Sequence, residues 1–177
     1  MATLHGITPL QMPAVSCGAS LQRDSRCWSM EALDVVFIGA ACVDYIAAVS
    51  AYPAEDAKIQ ANSHLISVGG NAANSACAAA KLGVASAVLS KVGTDQQGSF
   101  IQEKLAASGV QTHYLVQSDA TPSDFTYILV TEDTQTRTCI HTPATETLLR
   151  AEIDTLLESF RLLWNCSMVH FDSRQTE

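Results

Sequence analysis

Val68-Gly69-Gly70-Asn71-Ala72-Ala73-Asn74-Ser75-Ala76-Cys77-Ala78-Ala79-Ala80-Lys81-Leu82-Gly83 joins the end of an apolar strand to a paired-glycine turn and then to a run of very small residues. Adjacent glycines let the backbone bend and let a ligand reach the main chain with no Cβ in the way. The spacing predicts a helix over residues 71 to 82. Its unpaired N–H groups would point back at the turn, where Asn74 can place an amide. Gly83 stands where a left-handed residue closes a helix. Two physical readings fit: a turn built for ligand approach, and a close-packed core helix entered through glycine.

Outward from this stretch, short apolar runs alternate with helical segments. Val35-Val36-Phe37-Ile38 is continuously apolar, as expected of a parallel strand buried on both faces. Ala87-Val88-Leu89 forms the core of a second strand. Thr94 or Asp95 can cap a helix that carries Phe100, Ile101 and Leu105 inward and ends at Gly109. His113 to Val116 gives another strand. Ile153, Leu156, Leu157, Phe160 and Leu163 repeat at helical spacing before a strand at Met168-Val169-His170-Phe171. This alternation predicts an α/β fold with a doubly wound parallel sheet. Two places break the rhythm: Lys58 to Val68, and the pair Phe125 to Thr131 with Gln135 to His141, which predicts a hairpin turning near Glu132-Asp133-Thr134. They read as a small antiparallel sheet beside the main one, or as edge strands of it.

With 177 residues, 47% of them hydrophobic, the chain can bury one domain. Asp44, Lys58, Lys81 and Lys91 interrupt the most apolar region, so no membrane-spanning run is present. A formal charge of −8 without a basic cluster argues against nucleic acid as a partner. The six cysteines, Cys17, Cys27, Cys42, Cys77, Cys139 and Cys166, form no Cys-x-x-Cys pair, and several fall in apolar runs. They point to a reducing, cytoplasmic setting. Residues 1 to 33 lack periodicity and read as a disordered extension or, through Arg23 and Arg26 among hydroxyls, as an organellar transit peptide that would send the chain to a plastid.

The glycine-turn segment resembles the N-terminal signature of the ribokinase, or PfkB-type, carbohydrate kinases, with Gly69, Gly70 and Asn74 at its Gly-Gly-x-x-x-Asn positions. Gly39-Ala40-Ala41-Cys42-Val43-Asp44 resembles the family's first strand and substrate aspartate. Lys91 to Gly98 is similar to the junction after the signature. Thr136 to Pro143 and Val169 to Arg174 resemble plant-type, fructokinase-like members. The resemblance covers roughly residues 34 to 177. It implies a ribokinase-like doubly wound sheet with a β lid, strands at about 45–68 and 125–141, that covers a sugar site and often serves dimerisation.

It also implies a reaction, transfer of the terminal phosphoryl group of ATP, with Mg2+, to a sugar hydroxyl. Asp44, Gly69, Gly70, Asn74 and Asp172 are its candidate substrate-binding residues. Vicinal hydroxyls suit a carboxylate that accepts two hydrogen bonds and an amide that gives and accepts. Asp44, just past a buried strand, would lie where ligands gather in open α/β sheets; the other reading is a turn carboxylate binding its own backbone. Asp172 follows the last strand in the same way. His170 reads as a packed core histidine, and His141 as either. In the family the catalytic base and anion-binding turn lie in a Gly-Ala-Gly-Asp segment, which these residues do not contain. They also lack a Gly-x-x-x-x-Gly-Lys-Ser/Thr loop and a Gly-x-Gly-x-x-Gly fingerprint. The expectation is a truncated kinase: the sugar half of the fold, inactive alone and with no catalytic or metal residue to assign. The alternative is a non-catalytic sugar-binding or dimerising fragment. Ala144 stands where many relatives have glycine.

Overall fold

The computed structural model describes residues 33–160 and 166–172. The N-terminal extension up to Ala32, Leu163 and the segment after Asp172 fall outside them. In chain order the elements are β1 (Leu33–Ile38), β2 (Cys42–Val49), β3 (Ser63–Gly69), α1 (Asn71–Lys81), β4 (Ser86–Gly93), α2 (Gln96–Ala107), β5 (Leu115–Ser118), β6 (Phe125–Thr131), β7 (Thr136–Thr142), α3 (Arg150–Phe160) and β8 (Cys166–Phe171).

Four strands, in the order β5-β4-β1-β8, form a wholly parallel sheet. Parallel strands need both faces covered; β1 and β4 are covered on both, whereas β8, at the sheet's edge, leaves Met168 and Phe171 exposed. On one side Val35, Phe37, Val88 and Val92 meet the alanine face of α1 and Ile101 and Leu105 of α2. On the other, Val36, Ile38, Leu89 and Leu148 pack with Ile153 and Leu156 of α3. The very small residues of α1 let it lie close on the sheet: Ala72, Ala73 and Ala76 are fully buried. Asp95, rather than Thr94, caps α2 by accepting a hydrogen bond from the Gly98 N–H at 2.8 Å. Gly83 and Gly109, at φ +83° and +84°, follow α1 and α2 as left-handed residues.

The second sheet runs β3-β2-β6-β7. Its outer pairs are antiparallel, as a lid of hairpins requires, but its central pair, β2 with β6, is parallel. The lid is therefore mixed, because β2 and β6 leave the core sheet in the same direction. The expected hairpin is β6–β7, and Gln135 at φ +53° closes its turn. Val43, Val68 and Phe125, at the base of the lid, join the core cluster under α2, so lid and sheet share packing.

Two expectations shift. The segment beginning at Lys58 becomes a strand only from Ser63, since residues 50 to 62 are loop. The strand placed at His113 to Val116 starts at Leu115 instead, because the Leu115 N–H bonds the Thr112 carbonyl at 3.1 Å and holds His113 and Tyr114 in a turn.

Candidate functional site

Between the carboxyl end of the parallel sheet and the lid lies a cavity of about 620 Å³, within the usual range for small-molecule sites. Its floor is the β1–β2 turn and the first turn of α1, with Ala40, Gly70, Asn71 and Asn74. Its wall is the lid, with Asp44, Thr126, Arg137 and His141.

Asp44 is the third residue of β2, paired with Ser67 and Thr126, so it belongs to the lid rather than to a loop after β1. Gly69 makes room for it: a Cβ there would fall inside the Asp44 carboxyl group. The Cys42 thiol donates to Asp44 Oδ1 at 3.5 Å. Burial, and then the adjacent Asp44 charge, push that thiol up to about 12, so it stays protonated and a donor.

The glycine pair divides its work. Gly70, at φ +92°, takes a conformation L side chains avoid, and a Cβ there would meet the Ala40 carbonyl carbon at 2.7 Å and Ala41 Cα at 2.9 Å. The start of α1 is thereby pressed onto the β1–β2 turn, and the Ala73 N–H donates to the Ala40 carbonyl at 3.3 Å. That donor is used inside the protein. Asn74, in the first turn of α1, faces the cavity, exposed and with no side-chain hydrogen bond among the described residues.

Asp172 sits elsewhere. It is 5% exposed, packs against Gly39, accepts from the Ala40 N–H at 3.4 Å and the Asn71 amide at 3.2 Å, and does not line the cavity. It holds the β1–β2 turn to α1 from behind. Of the five sequence-predicted residues, then, Asp44, Gly70 and Asn74 meet at the cavity, while Gly69 and Asp172 stand directly behind it. His141 lines the cavity, and its Nδ1 lies 3.0 Å from the Thr126 hydroxyl. His170 is exposed on β8, its ring 5.3 Å from that of Phe37, so the packed core histidine expected there is not found.

The remaining wall is fixed by polar ties. Asp124 accepts from the Ala144 N–H, which places that residue's backbone at the cavity. Lys91, almost wholly buried on β4, pairs with Glu146 at 2.9 Å and Glu152 at 3.0 Å, and so pins the segment between β7 and α3 to the core. Asn71, Asp124 and Arg137 are cavity residues that sequence reading missed. Asn71 carried a signal, since it directly follows the glycine pair; the other two depend on strand register.

Residues 32–175 match the model of the pfkB family carbohydrate kinase. The chain belongs to the PfkB family. Among its relatives, the 5-dehydro-2-deoxygluconokinase of Shouchella clausii (strain KSM-K16) is 39% identical over 83 residues, 47% of this chain and 24% of the relative. The deoxyribokinase of Salmonella typhi is 30% identical over 129 residues, 73% of this chain and 42% of the relative. The ribokinase of Arabidopsis thaliana, solved complexed with ribose and ATP, superposes with a TM-score of 0.63 at 21% identity over 80% of this chain and 45% of that one. The ribokinase of Giardia lamblia gives 0.68 at 20% identity, over 80% and 42%. These likenesses establish a ribokinase-like fold for this PfkB member. The chain spans well under half the length of the curated relatives it matches.

Proposed function

We propose that the chain provides the sugar-binding part of an ATP-dependent carbohydrate kinase. One observation carries the reading: Asp44, from the lid, and Asn74, from α1, face one cavity that Gly70, partly exposed, also lines. The Asp44 carboxylate, steadied by Cys42, would accept hydrogen bonds from two neighbouring hydroxyls. The free amide of Asn74, with the Asn71 side chain that Asp172 orients beside it, would hold a third, fixing which hydroxyl faces the phosphoryl donor. Asp172 supports this indirectly by orienting Asn71, and Gly69 by admitting the Asp44 side chain.

Mg2+ accompanying ATP would offset charge on the transferring phosphate. Among the described residues no group of three or more His, Cys, Asp or Glu stands together as a self-contained metal cage, and Mg2+ would be held chiefly by the ATP phosphates and water.

A dimerising role is part of the reading. Ile66, Tyr45, Tyr127 and Ile140 stand in register as one row across the lid face turned away from the cavity, and Ile66, Tyr127 and Ile140 are 45%, 53% and 61% exposed. An apolar row of this kind suits a second copy of the chain. A cytoplasmic location fits the free thiols of Cys42 and Cys77.

Calorimetry with ribose, fructose and 2-deoxyribose tests the proposal. Binding of at least one sugar is expected, weakened about tenfold or more by Asp44→Ala and by loss of a hydroxyl that Asp44 reads. Absence of sugar binding, or binding indifferent to Asp44→Ala, would refute it.

A further inference from the structure

Arg137 is the one permanent cation among the cavity-lining residues. It lies on β7, two and four residues before Cys139 and His141, which line the same wall. Lys91, the cation behind the wall, is engaged, held by Glu146 and Glu152. Arg137 has neither an ion pair nor a side-chain hydrogen bond among the described residues, so its guanidinium is available. The charge balance of the cavity sharpens the point. Glu146 is paired with Lys91, Asp124 is engaged by the Ala144 N–H, and Asp44 accepts from the Cys42 thiol. Arg137 is the charge on the cavity wall that has no such tie among the described residues.

Asp44 and Arg137 are also well separated. Arg137 pairs with Val130, and Val130 with Ala48, so Arg137 lies four residues farther along the lid than Asp44 and two strands across. At about 3.4 Å per residue and about 4.8 Å per strand, that is on the order of 13 Å along the strands and 10 Å across them. A polyol held at Asp44 therefore leaves the Arg137 end of the cavity open. In a chain of net charge −8, an anion enters only where a local cation offsets the surrounding field.

Resting on the sugar-site reading above, we propose that Arg137 contacts an anionic group bound in the same cavity as the polyol. That anion is either the phosphoryl chain of the donor or a carboxylate carried by the acceptor. The planar guanidinium fork suits both, because it can give two parallel hydrogen bonds to either oxyanion.

Titrating the purified chain with tripolyphosphate, gluconate and neutral fructose, in wild type, Arg137→Gln and Arg137→Lys, tests this. At least one anion should bind. Arg137→Gln should weaken it at least tenfold more than it weakens fructose, with Arg137→Lys intermediate because the fork is lost while the charge remains. A loss confined to tripolyphosphate assigns the donor, and one confined to gluconate assigns an acidic acceptor. Anion affinity unchanged in Arg137→Gln, or no anion binding by wild type, overturns the proposal. If fructose fails to bind while the Arg137-dependent anion response persists, the polyol reading falls and the anion site stands.

Discussion

Gly69→Ala should separate ligand binding from folding. The added methyl would fall within the Asp44 carboxyl group, the end of a flexible, half-exposed side chain that can swing aside. Gly69 is not in the left-handed region, so alanine is accepted by the backbone itself. Mild overpacking of this kind costs about 1 kcal/mol, the low end of its usual range. The displaced carboxylate, however, loses its aim at the ligand. A hydrogen bond to a charged group contributes about 1.5–3 kcal/mol, so losing even one weakens sugar binding about 10- to 150-fold. Gly70→Ala is the contrast: its methyl meets the backbone of Ala40 and Ala41 at a residue with φ +92°, and the folded state itself should suffer. Calorimetric sugar affinity and urea denaturation, measured on both variants, give the comparison. A folded Gly69→Ala protein with wild-type sugar affinity would show that the Asp44 carboxylate is not what holds the sugar.

Asp95→Ala should destabilise by roughly 2–4 kcal/mol in urea denaturation, since it removes the α2 cap and leaves both Ser123 donors unmet. Burial works to raise the Asp95 carboxyl, but hydrogen bonds from Ser123 and Gly98 outweigh it and hold the group below 3.8. Its contribution is therefore full above 3.8 and fades as pH falls through the lower folded value, so the deficit of the variant should shrink in acid. Lys91→Met should cost about 1–2 kcal/mol at neutral pH, modest because Glu146 is 40% exposed and solvent screens the pair. Burial works to lower the Lys91 ammonium, but Glu146 and Glu152 outweigh it and hold it above 10.5. The stabilisation persists up to 10.5 and is lost as pH rises through the folded value, so denaturation midpoints of wild type and variant should converge at high pH.

Sequence alone revealed what is local. The continuous apolar run of β1, the glycine-entered α1, the helix after Asp95 and the β6–β7 turn each depend on neighbours within a few residues. The parallel core sheet followed from their alternation. What escaped was set at a distance. Gly39, at φ +147°, ends β1 and starts β2 as a separate strand, and no side chain marks that break, so Asp44 read as a loop residue when it is a lid residue. Asp124 and Arg137 reach the cavity only through the β2–β6–β7 register, which no short stretch encodes. Asp172 was read at the right end of the sheet, yet its carboxylate is taken by Ala40 and Asn71, partners 132 and 101 residues away in the chain.

Because β2 starts in the core, with Cys42 and Val43 buried, and carries Asp44 out into the lid, one strand links the hydrophobic interior to the carboxylate that lines the cavity. A slight tilt of that strand about its root changes the gap between Asp44 and α1 directly. Substitutions at the root, under α2 and far from any solute, should thus tune affinity as effectively as changes in the cavity wall.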